Sequence, residues 1–206
     1  MAHAPHVVRA PQVYAATVQF LYHRRPPDLR GETLYPLGLL ENVHPDLHEL
    51  ELAKYAGREV LLDLRIPLLE VRWNDALHLC PLHPSRLASA WRAAGIDSAA
   101  WEHDFFRIPV DALAGLLAVW FATGAVSVPD GPDEQGRLSL PSGDVSWFDP
   151  ARYRELDAPP ARHLEHLCEH REQGGRVRPF AYVPHVLVGA PLDVAGFELV
   201  RANGYA

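Results

Sequence analysis

The chain has 206 residues, of which 48% are hydrophobic and 22% are charged, as in an ordinary soluble globular domain with a buried core. Its net charge of -7, from 19 basic and 26 acidic residues, argues against a broad surface for nucleic acid. The two cysteines, Cys80 and Cys168, are too few for a disulfide scaffold, and no apolar run is long enough to span a membrane. Met1–Arg9 also lacks a signal-peptide pattern. We therefore expect one cytoplasmic domain over 1–206 with no membrane partner.

The first predicted element is a strand over Val13–His23, in which the alternation of residues places Val18, Phe20 and Tyr22 on a core face. Pro26-Pro27 ends this strand. After this strand the sequence predicts an irregular connection over Asp28–Leu40. Two helices are predicted next, at Asp46–Tyr55 and at Arg58–Arg65. In the first of these helices, Leu47 and Leu50 are expected to face inward.

The central segment Trp73–Arg86 (WNDALHLCPLHPSR) predicts a strand that leads into a helix. Ala76–Cys80 alternates like a half-buried strand, and His83-Pro84 begins an amphipathic helix that ends at Gly95. A short polar connection of this kind often carries functional side chains. The alternative is structural: Asn74-Asp75 is then only a turn, and His83 only a helix cap.

The rest of the chain mixes strands and helices without a regular βαβ order. Strands are predicted at Phe105–Ile108, Leu117–Phe121, Phe180–Val188 and Gly196–Arg201, helical turns at Val110–Leu116, an exposed loop at Asp130–Gly143 and a helix at Asp157–Gln173. This order predicts an α+β domain with a mixed, mostly antiparallel sheet and flanking helices.

Histidine is the conspicuous polar residue, with 12 copies. On the helix predicted to end at Gln173, the stripe His163, His166 and His170 is interpreted as a solvated face, and Leu164, Leu167 and Cys168 as the core face. The main expectation is that the chain has no metal site. The alternative is a cluster of His78 and His83 with a nearby carboxylate.

Several well-defined active-site motifs are missing from the sequence. There is no GxSxG nucleophile elbow, no HExxH or CxxC, and neither of the glycine loops GxGxxG and GxxxxGK. Arginines and the amides at strand ends would therefore have to hold a ligand that bears a phosphate.

Two segments carry a resemblance to a known family. Leu21–Leu40 (LYHRRPPDLRGETLYPLGLL) resembles the opening of ADP-ribosyltransferase-fold proteins, where a Tyr-His strand end precedes a segment that leads to Gly-Leu. Tyr182–Leu192 (YVPHVLVGAPL) is similar to the closing strand of the DNA-targeting ADP-ribosyltransferase toxins. The central segment also resembles small uncharacterised bacterial proteins with a WNDxLHLxPxHP signature.

The resemblance implies a role for two histidines. His23 matches the histidine of the first strand that hydrogen-bonds the nicotinamide ribose. The catalytic glutamate of the family falls near His185, where this sequence departs from the pattern. The structural alternatives are a solvent-exposed strand end for His23 and a buried imidazole bonded to a backbone carbonyl for His185.

The leading hypothesis is an NAD- or nucleotide-using transferase or glycohydrolase of ADP-ribosyltransferase-like fold, with NAD as substrate and a cleft rich in histidine. Four residues are predicted to act in catalysis: His23, Asp75, His78 and His185. Four are predicted to bind the small-molecule or nucleotide ligand: His23, Arg24, Arg25 and Asn74. The other hypotheses are a metal-dependent enzyme that uses His78 and His83, and a ligand-binding protein without catalysis.

Overall fold

The computed structural model describes residues 18–124, 132, 136–173 and 177–202. Five α-helices lie in these ranges: α1 (Leu37–Val43), α2 (Pro45–Leu52), α3 (Val60–Asp63), α4 (Pro84–Ala93) and α5 (Ala161–Gln173). The strands are β1 (Phe20–Arg24), β2 (Thr33–Leu34), β3 (Arg65–Ile66), β4 (Val71–Arg72), β5 (Leu77–Leu79), β6 (Asp104–Pro109), β7 (Ala118–Phe121), β8 (Val145–Trp147), β9 (His185–Val188), β10 (Leu192–Asp193) and β11 (Glu198–Arg201). Short 3-10 turns connect several of these elements.

Two sheets organise the molecule. The larger has the order β5-β9-β7-β8, and the smaller has the order β1-β6-β11. Two ribbons, β2-β10 and β3-β4, lie beside them. All of these strand pairs are antiparallel, so the structure confirms a mixed α and β chain with antiparallel sheets.

The two sheets meet at a single bridge between β1 and the end of β5. The backbone N–H of Tyr22 donates to the carbonyl of Cys80 at 2.8 Å, and the N–H of Cys80 donates back at 2.8 Å. This reciprocal pair fixes the register of the two strands. It therefore brings His23, the residue after Tyr22, next to the strand that carries His78.

Both faces of β1 are buried, which differs from the predicted single core face. Leu21 is fully buried on one face and Tyr22 is 3% exposed on the other, whereas Val18 is 55% exposed. The reason is that β1 joins two sheets, so its central residues Leu21 and Tyr22 are covered on both sides. The part of the predicted strand before Val18 lies outside the described residues.

The helices depart from the predictions in three places. Gly38, expected in an irregular connection, lies inside α1, and Leu50 on α2 is exposed instead of buried. On α5 the inward stripe is His163 and Leu167, while Leu164 is 42% exposed. His163 tolerates full burial because its Nδ1 donates to the carbonyl of Ala181 at 2.7 Å. The prediction of a solvated histidine stripe was therefore wrong for His163.

No helix in the described ranges combines the length and the apolar composition needed to cross a bilayer.

Candidate functional site

Four histidines line one cavity of about 870 Å³, which we call the histidine cavity: His166 on α5, and three from strands that are far apart in the chain. His78 lies at the centre of β5 opposite Leu187, and His185 begins β9 two residues before it on the same face. The ring centroids of His78 and His185 are accordingly 6.2 Å apart. His23 reaches the same cavity from β1. The strand register thus assembles the cluster of His23, His78 and His185.

Aromatic side chains form much of the wall around the imidazoles. The Trp73 ring meets His78 edge-on at 4.2 Å between centroids, and Phe180 meets His185 at 5.7 Å. Phe121 and Tyr182 also line the cavity. Such contacts restrict the rotation of the imidazoles and offer flat surfaces to a ring-bearing ligand.

Backbone hydrogen bonds fix the tautomers of two of the three imidazoles. Nε2 of His78 donates to the carbonyl of Trp73 at 3.0 Å, and Nδ1 of His185 donates to the carbonyl of Val183 at 2.8 Å. Because a carbonyl only accepts, these nitrogens carry the hydrogens in the neutral rings. The nitrogens left for a ligand, Nδ1 of His78 and Nε2 of His185, are therefore hydrogen-bond acceptors.

All three imidazoles are neutral at pH 7. Burial lowers the pKa of His185 to about 3, and the neighbouring His78 and His23 lower it further. Burial also lowers the pKa of His23 to about 4 and shifts the pKa of His78 in the same direction. The cluster therefore presents lone pairs and N–H groups and no fixed positive charge.

The charged side chains around this cavity are all cationic among the described residues. Arg24, Arg58 and Arg178 line it, whereas no aspartate or glutamate does. Arg24 donates to Nε2 of His103 at 2.6 Å, and the Arg58 guanidinium lies 5.5 Å from the centroid of the Tyr55 ring. Neither guanidinium has an ion pair with a carboxylate in the described part of the chain. A chain with a net charge of -7 thus holds a cavity suited to an anion.

Polar atoms without partners mark the cavity as a place for a ligand or water. Nδ1 of His23 and Nε2 of His166 are buried without a hydrogen bond. Most buried polar atoms in proteins have a partner, so each of these atoms requires an explanation. The thiol of Cys80 also lines the cavity, but burial raises its pKa to about 12, which makes it a poor nucleophile at neutral pH.

The structure brings together four of the predicted site residues and places a fifth next to them. His23, Arg24, His78 and His185 line the histidine cavity. Asn74 lies in the wall of an adjoining cavity that shares His23 and His78. His185 also forms the backbone hydrogen bond that the structural alternative required, so it is both held by the backbone and exposed to the cavity.

The structure does not bring Asp75 and Arg25 to the cavity. Oδ2 of Asp75 accepts from Nε of Arg72 at 2.9 Å, and Asp75 packs so close to α1 that a Cβ at Gly38 would lie 1.9 Å from Oδ1. Asp75 therefore packs against α1 and pairs with Arg72, and it lines neither the histidine cavity nor the adjoining one. Arg25 lines neither cavity, and its backbone N–H donates to Asp104.

His83 is a helix cap, as the structural alternative proposed. Its Nδ1 accepts from the backbone N–H of Ser85 at 3.2 Å and lies 2.7 Å from the Ser85 hydroxyl. It faces a different cavity from His78, so the two do not form the alternative metal cluster. Within the described ranges, no group of three or more His, Cys, Asp or Glu residues is arranged to hold a metal ion.

The segment before β9 supplies cavity residues that sequence reasoning missed. Arg178, Phe180 and Tyr182 line the cavity, although a strand with a bulge or edge position at Pro184 was predicted from Phe180 onward. β9 begins only at His185, because Pro184 has no N–H to donate and Tyr182 has a φ of 60°. The cluster of arginine and aromatic residues in RVRPFAY was the available signal.

A close approach at Gly124 holds this segment in place. The N–H of Tyr182 donates to the carbonyl of Gly124 at 3.0 Å, and a Cβ at Gly124 would lie 2.0 Å from the carbonyl oxygen of Val183. Gly124 also has a φ of 56°, which favours glycine. The wall that carries Phe180 and Tyr182 therefore depends on the missing side chain.

Comparison with known proteins gives no match: no family model, no curated protein and no solved structure matches the chain.

Proposed function

We propose that this chain binds a nucleotide, with NAD as the first candidate, in the histidine cavity and acts on it as a transferase or glycohydrolase of the ADP-ribosyltransferase type and fold. One observation carries the proposal: three neutral imidazoles meet in a cavity that arginines line and, among the described residues, no carboxylate does. The resemblance of Leu21–Leu40 and Tyr182–Leu192 to the ends of that fold agrees with it.

Each part of a nucleotide finds a matching surface. A volume of about 870 Å³ lies in the range of small-molecule sites. The rings of Trp73, Phe121 and Phe180 offer apolar surfaces for a base. Guanidinium groups pair with phosphate oxygens through two parallel hydrogen bonds, and neutral imidazoles bond ribose hydroxyls.

The proposed reaction breaks the bond between the ribose C1′ and the ring nitrogen of nicotinamide. The electron pair of this bond goes to the ring nitrogen, so nicotinamide leaves as a neutral molecule and needs no proton. The ribose becomes cationic, and a hydroxyl group or water attacks C1′. The attacking oxygen becomes strongly acidic as it bonds to C1′, so the lone pair on His185 Nε2 or His78 Nδ1 takes its proton only briefly, since burial makes these imidazoles weak bases, and passes it to solvent. His185 then takes the place that the family gives to glutamate.

Isothermal titration with NAD and an assay for released nicotinamide test the proposal. We expect binding in the micromolar to millimolar range and slow release of nicotinamide. The variant His185→Gln keeps a polar side chain but lacks the imidazole base, so release should fall at least tenfold while binding changes less. His170→Ala is the matched control, because His170 lies on α5 and lines neither the histidine cavity nor the cavities beside Asn74 and His83.

Absence of both heat and release would exclude the proposal. Binding without release would instead favour the second candidate, a nucleotide-binding protein without catalysis. The low pKa values of His23 and His185 favour that candidate, because weakly basic imidazoles accept hydrogen bonds well but take up protons poorly.

A further inference from the structure

A second cavity of about 540 Å³, which we call the Asn74 cavity, lies beside the histidine cavity. Seven residues line both: His23, Arg24, Arg58, Leu61, Trp73, His78 and Phe180. Because they share this many residues, the two chambers adjoin, and we call the pair the cleft. A ligand that fits the first chamber is therefore placed to extend into the second.

The wall of the Asn74 cavity holds a hydrogen-bond acceptor without a partner. Asn74 is 7% exposed, and its side-chain oxygen Oδ1 is buried without a partner. A buried amide oxygen without a donor is costly, and a ligand with an N–H or O–H group would satisfy it. The rings of Tyr35 and Tyr55 line the same chamber. These features suit a flat ring that carries an amino group.

The unpaired positive charge lies between the two chambers. The Asn74 cavity is lined by charges of both signs, since Asp28 and Glu51 line it with Arg30 and Lys54. Arg30 and Lys54 each have an ion pair, with Asp46 and Glu51 respectively. Arg24 and Arg58, which line both chambers, have no such pair within the described part of the chain and are exposed. An anionic group is therefore favoured at the shared rim rather than at the far end of either chamber.

We propose that one dinucleotide spans both chambers, with one ring in each, its pyrophosphate at Arg24 and Arg58, and the amino group of an adenine on Asn74 Oδ1. This inference rests on the proposed function and makes it more specific, because a mononucleotide would fill only half of the cleft. His23, whose Nδ1 has no partner, lies at the junction where the ribose hydroxyls pass.

Titrations of the wild-type protein with NAD, AMP and nicotinamide mononucleotide test the span of the ligand. We expect NAD to bind about 100-fold more tightly than either half, because the two halves bind as one linked molecule. Binding of NAD no tighter than AMP would overturn the inference and leave the proposed function intact. Absence of binding by all three would overturn both.

Nicotinamide hypoxanthine dinucleotide tests the contact to Asn74. This analogue differs from NAD only in the adenine ring, where a carbonyl acceptor replaces the amino donor at C6 and the neighbouring N1 gains a hydrogen. The wild-type protein should bind it about tenfold more weakly than NAD. Asn74→Leu has a similar volume and no acceptor, so it should bind the two dinucleotides equally. Equal binding by the wild-type protein would refute the adenine contact, and this comparison does not depend on the folding of any variant.

Discussion

Two groups of histidines contrast in this chain: His23, His78 and His185 of the histidine cavity, and the capping residue His83. His83 has its Nδ1 engaged by Ser85, and the cavity it faces, of about 690 Å³, is lined by charges of both signs: Arg86, Arg154, Glu155 and Asp157. The imidazoles of His78 and His185 each leave one nitrogen for a ligand. Among the described residues, the charged side chains that line the histidine cavity are all arginines. The hydrogen-bond partners of a histidine therefore indicate whether its role is structural or a candidate functional one. Its presence in a polar segment of the sequence does not.

The largest expected effect comes from Gly124, which shapes the histidine cavity. Gly124→Ala would place a Cβ 2.0 Å from the carbonyl oxygen of Val183, and backbone atoms cannot yield as a flexible side chain can. We expect a loss of about 3 kcal/mol or more in the free energy of unfolding, together with loss of ligand binding. Chemical denaturation measures the first effect and titration the second.

Gly95→Ala is the matched control, in the part of the chain that carries His83. Gly95 follows the helix that His83 caps and has a φ of 71°, but open space surrounds its Cβ position. Its replacement should cost only about 1 kcal/mol, the conformational term alone. Equal losses at the two glycines would show that the approach of Gly124 to Val183 does not support the cavity wall.

The second prediction concerns acid sensitivity. In the unfolded chain a histidine takes up a proton near pH 6.5, but folded His23 and His185 do so only near pH 4 and pH 3. The unfolded state therefore binds more protons in between, so stability is full above pH 6.5 and declines as the pH falls towards 4. Each residue should account for a loss of about 2 kcal/mol between pH 7 and pH 5.

Denaturation at a series of pH values, with wild-type protein and the variants His23→Asn and His185→Asn, measures this slope. Each variant should flatten it, whereas His83→Asn should change it less because His83 is only half-buried and Glu155 favours its charged form. If the slopes of all three variants match that of the wild-type protein, the cavity imidazoles are not held neutral by burial.

The sequence predicted the strand that carries His78 because alternation over five residues is a local signal. It also predicted that His23, His78 and His185 share a cleft, and the structure places them in one cavity. The position of Asp75 outside the cavity could not be predicted, because it depends on α1, a helix that starts at Leu37 and has no N-terminal cap of the usual kind. Arg58, Arg178 and Tyr182 were missed because pairing between distant strands, not local pattern, decides which loops close over the cavity.

The smallest expected effect distinguishes the two groups most directly. His83→Ala removes the side chain that accepts from the backbone N–H of Ser85, and loss of a helix cap costs about 1 kcal/mol. His83→Asn should restore most of that stability, since asparagine is a good capping residue. Neither variant should change NAD binding, whereas His78→Ala should weaken it at least tenfold because His78 lines both chambers of the cleft. Tyr22 on β1 lies between the two groups: it contacts the His83 ring edge-on at 5.0 Å and also lines the histidine cavity. If His83→Ala lost as much binding as His78→Ala, the ligand would lie on the His83 side of Tyr22 and not in the histidine cavity.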